Sequence, residues 1–275
     1  MVRPSLLLLV LCACRTVTPA APPPSAVWEV PILFEADGRP SALPLVQATI
    51  GGQPTLLVLD TAAPQTTLQA WFVQSLEVEP TESEGHRVAE LPLQLGTSVT
   101  TQKWALVETV PAQRALGIGG TLSPQHALAT GAVALDFPRK RLLALDGKAN
   151  AWLRWLDERS PKGQVEALPR TAPFDGGLHV KTKVGDGREV ATALATGQER
   201  SSYAASMFDP SLLTAGQVKG LHVRVGESEF GPLDVQVLPP ESKVEGQLGL
   251  DVLQGAVLLV PVHELHPIWF LTPRP

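Results

Sequence analysis

Leu56-Leu57-Val58-Leu59-Asp60-Thr61-Ala62-Ala63 sets an apolar strand against an acid-bearing turn. Val190-Ala191-Thr192-Ala193-Leu194-Ala195-Thr196-Gly197 repeats the arrangement with a methyl group in the acid's place. A short apolar run that stops at turn-forming residues reads as a strand. Both runs follow hairpin signals, Gly51-Gly52 after Ile50 and Asp186-Gly187 after Val184-Gly185. Each is followed by a polar step and a predicted short helix, over residues 68–76 and 203–208. Leu91-Pro92-Leu93-Gln94-Leu95-Gly96 then matches Leu221-His222-Val223-Arg224-Val225-Gly226, Leu116-Gly117-Ile118 matches Leu248-Gly249-Leu250, and Gly131-Ala132-Val133 matches Gly255-Ala256-Val257. Asp60 and Ala195 stand 135 positions apart, Leu91 and Leu221 130, Leu116 and Leu248 132, Gly131 and Gly255 124. Offsets this steady predict two related β-rich halves.

The rest of the chain is compatible with that architecture. Its 275 residues suffice for one large domain or two modest ones, and at 44% hydrophobic and 18% charged they can bury a core. Apolar segments at residues 30–34, 45–50, 56–59, 91–95 and 133–135 are bounded by Gly, Pro, Asn, Asp or Ser. The 26 prolines and 23 glycines are spread along the chain, as short strands joined by turns require. The expected fold class is all-β, two related β-rich lobes with a few short helices. Between the halves, Trp152, Trp155 and Leu156 have i, i+3, i+4 spacing, which predicts a helix with those side chains anchored in the core. The net charge is −5 and the longest basic run is Arg139-Lys140-Arg141, so nucleic acid is not an expected partner.

The N-terminus reads as an export signal. Arg3 precedes an apolar run over residues 6–11 that is too short to span a bilayer. It ends in Leu11-Cys12-Ala13-Cys14, which resembles a bacterial lipobox with Cys14 as the lipidated residue; an ordinary secretory signal with incidental cysteines is the other reading. Arg15, rather than Asp, follows Cys14, so the outer membrane of a double-membraned bacterium is the expected destination. Cys12 and Cys14 are the only cysteines, so no disulfide is expected in the mature fold. Residues 15–27 are Pro-rich and read as an extended tether.

An apolar strand running into Asp-Thr/Ser-Gly and a small residue is the signature of pepsin-like and retropepsin-like aspartic proteases, and the duplicated pattern here resembles that family over about residues 28–272. The resemblance implies an N-terminal lobe over residues 28–147, an interlobe segment over 148–170 and a C-terminal lobe over 171–275. It implies that an apolar-apolar-Gly segment threads beneath each aspartate loop; Ala115-Leu116-Gly117 and Gln247-Leu248-Gly249 fit that role. Val133-Ala134-Leu135-Asp136-Phe137 and Arg141-Leu142 resemble the lobe-closing strands of bacterial members. It further implies two carboxylates sharing one proton, one activating water and the other polarising the peptide carbonyl. Asp60 supplies the first; Ala195, at the second position, can neither accept nor donate a proton. Asp186 and Glu199 lie nine residues before and four residues after that position, outside the loop. Thr61, Thr196 and Gly197 keep the family's supporting residues, and Ala62 replaces a glycine while retaining its backbone N–H. The expected flap segment, residues 80–90, has one glycine and no aromatic residue.

Other signals are weaker. His263 and His266 would share a metal only on a helix, which the apolar run before them and Pro267 disfavour. There is no Gly-x-Ser-x-Gly elbow, and Gly117-Ile118-Gly119-Gly120 lacks the remaining glycine of a dinucleotide loop. No cofactor or metal is expected. Taken alone, Asp60 also reads as a turn carboxylate satisfied by backbone N–H groups. The expectation drawn from the resemblance is a catalytically degenerate lipoprotein that binds extended peptide or a partner protein between its lobes. The alternatives are an active aspartic endopeptidase in which Asp60 meets a carboxylate from elsewhere, and a purely structural envelope protein.

Overall fold

The computed structural model describes residues 26–83, 85–126, 131–159, 163–171, 177–262 and 266–272. The expected leader, Cys14 and residues 15–25 of the expected tether lie outside them, as does His263. Ala26 and Val27, which the sequence assigned to the tether, open the first strand.

The first half of the chain forms β1 (Ala26–Pro31), β2 (Leu33–Ala36), β3 (Arg39–Ile50), β4 (Gln53–Leu59), β5 (Thr67–Gln69), α1 (Ala70–Ser75), β6 (Thr81–Ser83), β7 (His86–Leu95), β8 (Ser98–Val107), α2 (Pro111–Arg114), β9 (Ile118–Leu122), β10 (Ala132–Asp136) and β11 (Arg141–Leu145). The connection supplies α3 (Ala149–Arg159) and β12 (Gln164–Leu168). The second half forms β13 (His179–Val184), β14 (Glu189–Leu194), β15 (Ser202–Tyr203), β16 (Gln217–Val225), β17 (Ser228–Val237), β18 (Gly246–Leu248), α4 (Leu250–Leu253), β19 (Val257–Pro261) and β20 (Ile268–Thr272). The chain is β-rich with a few short helices. The apolar run at residues 30–34 is not one strand: Ile32 donates its N–H to Lys140 O at 2.8 Å between β1 and β2, which belong to different sheets.

Three sheets result among the described residues. The first half builds an eight-stranded sheet in the order β2-β3-β4-β9-β5-β8-β7-β6, and the second a closed barrel, β13-β14-β18-β15-β17-β16. A six-stranded sheet, β1-β11-β10-β19-β20-β12, draws strands from both halves and from the connection. The pairings repeat. β3 is antiparallel to β4 as β13 is to β14, and β4 is parallel to β9 as β14 is to β18. β5 is antiparallel to β9 and parallel to β8, as β15 is to β18 and β17. Where the halves meet, Ala134 faces Leu259 and Leu135 faces Leu258. Those two pairings interchange under the 124-residue offset read from the sequence.

The register corrects one correspondence. Leu59 pairs with Leu122 and Leu194 with Leu248. Asp60 N–H donates to Leu122 O at 3.0 Å and Ala195 N–H to Leu248 O at 2.9 Å. The counterpart of Leu248-Gly249 is therefore Leu122-Ser123, not Leu116-Gly117. Leu116 and Gly117 close the C-terminus of α2 instead: Gly117 has φ +69° and donates to Arg114 O at 3.0 Å, the geometry of a glycine helix cap. Gly120, within β9, has no room for a side chain, since a Cβ there would lie 2.0 Å from Thr67 O.

Burial explains the sequence pattern. β7 alternates buried and exposed along Ala89–Leu95 because one face of its sheet meets the core. β10 and β19 are buried at every position. Val133, Leu135, Leu258 and Val260 point into the main core, while Ala132, Ala134, Val257 and Leu259 pack against Trp152, Trp155 and Leu156 of α3. The predicted helix and its core anchors are therefore present. The buried carboxylate of Asp136 is neutralised by Arg139 and Arg159, each at 3.2 Å, and the Arg159 guanidinium lies 3.5 Å over the Trp155 ring.

Candidate functional site

Asp60 directly follows β4, and the strand pairing that aligns Leu59 with Leu122 aims the turn that it opens at the second half of the chain. Its Oδ1 accepts two backbone hydrogen bonds, from Ala62 N–H at 2.9 Å and from Gly197 N–H at 3.2 Å. The second donor comes from the other half, 137 residues away. Ala195 directly follows β14 in the matching place and is fully buried.

The two threonines bind the turns to each other. Thr196 Oγ1 donates to Leu59 O at 2.9 Å and accepts Thr61 N–H at 3.0 Å, and Thr61 Oγ1 donates to Leu194 O. Both residues are fully buried. Each hydroxyl thus reaches the carbonyl just before the opposite acid position. The exchange is lopsided, because Thr196 Oγ1 also serves a backbone donor.

Gly197 and Ala62 differ for a steric reason. A Cβ on Gly197 would stand 2.6 Å from Asp60 Cγ and Oδ2, inside any real contact distance. Gly197 therefore leaves room for a carboxyl. Ala62 has no positive φ, so its methyl carries no conformational strain. Under the repeat, Ala62 is the counterpart of Gly197, and it carries a methyl at the place where Gly197 has only hydrogen.

Residues that the sequence did not single out complete the support. Gln125, buried after β9, donates Nε2 to Thr61 O at 3.2 Å and to Ala63 O at 3.3 Å. Ser123 Oγ donates to Ala63 O at 2.8 Å, and Leu178 N–H to Thr61 O at 3.0 Å. Gly177 packs so closely on Ala62 O that a Cβ would lie 2.4 Å from it. A correct alignment of Leu122-Ser123 with Leu248-Gly249 would have drawn attention to Ser123 and Gln125. Nothing local to residues 177–178 announces their role. In the second half, Asp251 takes the place of Gln125 and holds Ser201 through both its N–H, at 3.0 Å, and its hydroxyl, at 2.7 Å.

A cavity of about 350 Å³ opens beside Gly197. Leu43 of β3 contributes one wall; Gln198, Arg200, Gln236 and Gln247 bring polar groups from the barrel. The expected flap segment contains a hairpin in which Thr81 faces Val88 and Ser83 faces His86. Tyr203 is far from flap-like: it is fully buried in the barrel, and burial pushes its hydroxyl up to about 12.

Asp60 carries a carboxyl pushed above its ordinary value, first because it is partly desolvated; the Ala62 and Gly197 N–H groups pull the other way. Among the described residues no cation pairs with it, in contrast to Asp136 with its two arginines. Ionisation of Asp60 in the folded protein therefore opposes stability. A carboxyl raised in the fold contributes most below its unfolded value of about 3.8, and that contribution is lost as pH rises through the folded value. Asp60→Asn keeps an oxygen for the two N–H groups and removes the charge. It should melt above the wild type at pH 7 by a few degrees, about 2–4 °C for each kcal/mol in a chain of this size. The gap should close toward pH 3. Thermal melts between pH 3 and 7 check this, and an Asn variant that melts lower at pH 7 rules it out.

Among the described residues no three His, Cys, Asp or Glu side chains come together to hold a metal ion. His266 packs edge-on to Trp152 at 6.3 Å. No helix among them is long and apolar enough to cross a membrane. The chain matches no protein-family model and no curated protein.

Proposed function

We propose that this protein is a catalytically degenerate relative of the two-lobed, pepsin-like aspartic proteases, and that it binds an extended peptide or a peptide-like segment of a partner protein in the cleft between its lobes. One observation carries this reading: two topologically equivalent turns face each other through crossed threonine hydrogen bonds, one bearing the Asp60 carboxyl and the other the Ala195 methyl. A shared-proton dyad needs two acids at one water. With one, nothing is left to protonate the substrate carbonyl while Asp60 activates water. A cleft that grips extended backbone by hydrogen bonds needs no second acid. The cavity beside Gly197, lined by amide side chains with Glu199 and Arg200, supplies space and polar partners on the second-half side of the Asp60 turn.

A lone, partly buried, unneutralised carboxylate that opposes folding suits a role in binding better than one in stability. Asp60 would accept a hydrogen bond from a bound segment through Oδ2, which the two backbone donors leave unused.

The decisive assay follows mixed peptides by mass spectrometry at pH 3 to 6, with binding measured in parallel by calorimetry. Binding without cleavage is the expected result, and Asp60→Asn should leave cleavage at background. Cleavage by the wild type that Asp60→Asn abolishes would overturn the degenerate reading in favour of an active endopeptidase with a second acid from elsewhere.

Lipid anchoring through Cys14 at the cell envelope belongs to the same proposal, on the strength of Leu11-Cys12-Ala13-Cys14. The mature N-terminal peptide should carry the mass of a diacylglycerol-modified cysteine; an unmodified N-terminus downstream of Cys14 would exclude it.

A further inference from the structure

A cavity of about 790 Å³ lies away from Asp60, between the edge strand β12 and the outer wall of the barrel. β12 pairs only with β20, so its second edge has no strand partner among the described residues. An unpaired edge presents a row of N–H and C=O groups ready to pair with another extended segment. Glu166, Ala167 and Leu168 of that edge line the groove.

The facing wall is basic. Lys181, Lys183 and Arg224 project from β13 and β16; Arg170, whose guanidinium donates to Pro261 O, lies just beyond β12. Three carboxylates also line the groove, but two are already engaged. Glu166 accepts Glu227 N–H and Ser228 Oγ–H, both at 2.5 Å, and Glu189 pairs with Lys181 at 3.6 Å. Lys183 has no ion pair among the described residues; across the sheet it faces Arg224 on β16 and, on β14, Glu189, whose carboxylate is engaged by Lys181. Arg224 in turn reaches Glu229 at 3.0 Å. Like charges set opposite each other in a sheet are destabilising. An anionic group placed between them would relieve that repulsion. In a chain of net charge −5 this arrangement runs against the overall balance.

We infer that the groove between β12 and the barrel is a second binding site, which accepts an extended acidic peptide segment as an added strand on the free edge of β12, its carboxylates meeting Lys183 and Arg224. Backbone pairing supplies the grip and the basic wall supplies selection. This site is separate from the cleft at Asp60 and does not depend on how that cleft is used.

Fluorescence anisotropy with the full chain tests it. The probe is a labelled eight-residue peptide alternating threonine and glutamate. Its controls are the threonine–lysine counterpart and two versions N-methylated at every second residue, one for each strand edge. At low salt the glutamate peptide should bind at least about ten-fold more tightly than the lysine peptide. The doubly substituted Lys183→Glu/Arg224→Glu protein should reverse that order. Methylation along one edge should weaken binding about ten-fold, and along the other it should matter little. Should the double variant fail to fold, Lys183→Gln alone carries the test, with several-fold weaker binding expected. No binding of the glutamate peptide, unchanged affinity in the charge variants, or indifference to methylation on both edges would each overturn the proposal.

Discussion

Peptide turnover should appear in an Ala62→Gly/Ala195→Asp double variant and stay at background in Ala195→Asp alone. The reason is steric before it is chemical. Gly197 lies so close to Asp60 that a Cβ would sit 2.6 Å from the carboxyl. Ala62 is the counterpart of Gly197 in the repeat, so an aspartate introduced at position 195 is expected to meet a methyl where Asp60 meets only the hydrogen of Gly197. Removing both obstacles leaves Asp60 and the new carboxyl in matching positions. Ala62 N–H and Gly197 N–H, which both reach Asp60 Oδ1, would then be shared between the two carboxyls. Two carboxyls held together share a proton, so activity should peak in acid and fall as both ionise. A general acid–base group is worth ~10²–10⁴ in rate, and a gain of that size over wild type is expected. Peptide cleavage assayed from pH 3 to 7 decides it. Equal activity in the single and double variants would show that Ala62 is no obstacle. Absence of activity in a folded double variant would place the block elsewhere, with the hairpin at residues 81–88 as the next suspect.

The second large effect is on stability. Thr196→Val should cost more than Thr61→Val, although the two positions are equivalent in the repeat. Thr196 Oγ1 serves two buried partners, Thr61 N–H and Leu59 O, whereas Thr61 Oγ1 donates to Leu194 O. Each buried polar group left without its partner costs ~1–3 kcal/mol. Thr61→Val should therefore lower stability by about that amount and Thr196→Val by more. Denaturant titration reads both, with Thr→Val at an exposed position such as Thr101 as control. Losses no larger than the control would mean that the crossed hydroxyls do not hold the two halves together, and the order Thr61 above Thr196 would contradict the lopsided exchange.

Much of this could be read from one sequence because it is local or periodic. The apolar run 56–59 and the run that ends at Leu194 predicted strands, and the alternation in residues 91–95 matched one buried face of a sheet. The spacing of Trp152, Trp155 and Leu156 predicted α3 and its buried stripe. The repeat, seen as order and offset, paired Asp60 with Ala195, because a duplicated chain keeps its landmarks in sequence even where side chains change. The sequence also located Thr61, Thr196, Ala62 and Gly197, since all lie within two residues of those positions.

Tertiary structure decided what depends on register and on contacts between distant segments. Leu122 rather than Leu116 runs beside the Asp60 strand, because Gly117 caps α2 in a left-handed conformation and Gly120 must pass against Thr67. A one-dimensional match of Leu-Gly pairs carries no information about which glycine turns the chain and which one packs. The division of Val30 and Phe34 between two sheets, the sharing of β1, β12, β19 and β20 in a third layer, and the support of the Asp60 turn by Gln125 and Gly177 all arise from packing across large sequence separations. So does the contrast between Asp136 and Asp60. Asp136 and Asp60 both follow apolar strands, yet only in three dimensions does one meet two arginines and the other two backbone N–H groups and no countercharge. Local sequence sets which residues form a strand; the electrostatic fate of an acid at its end is set by whatever the fold brings opposite.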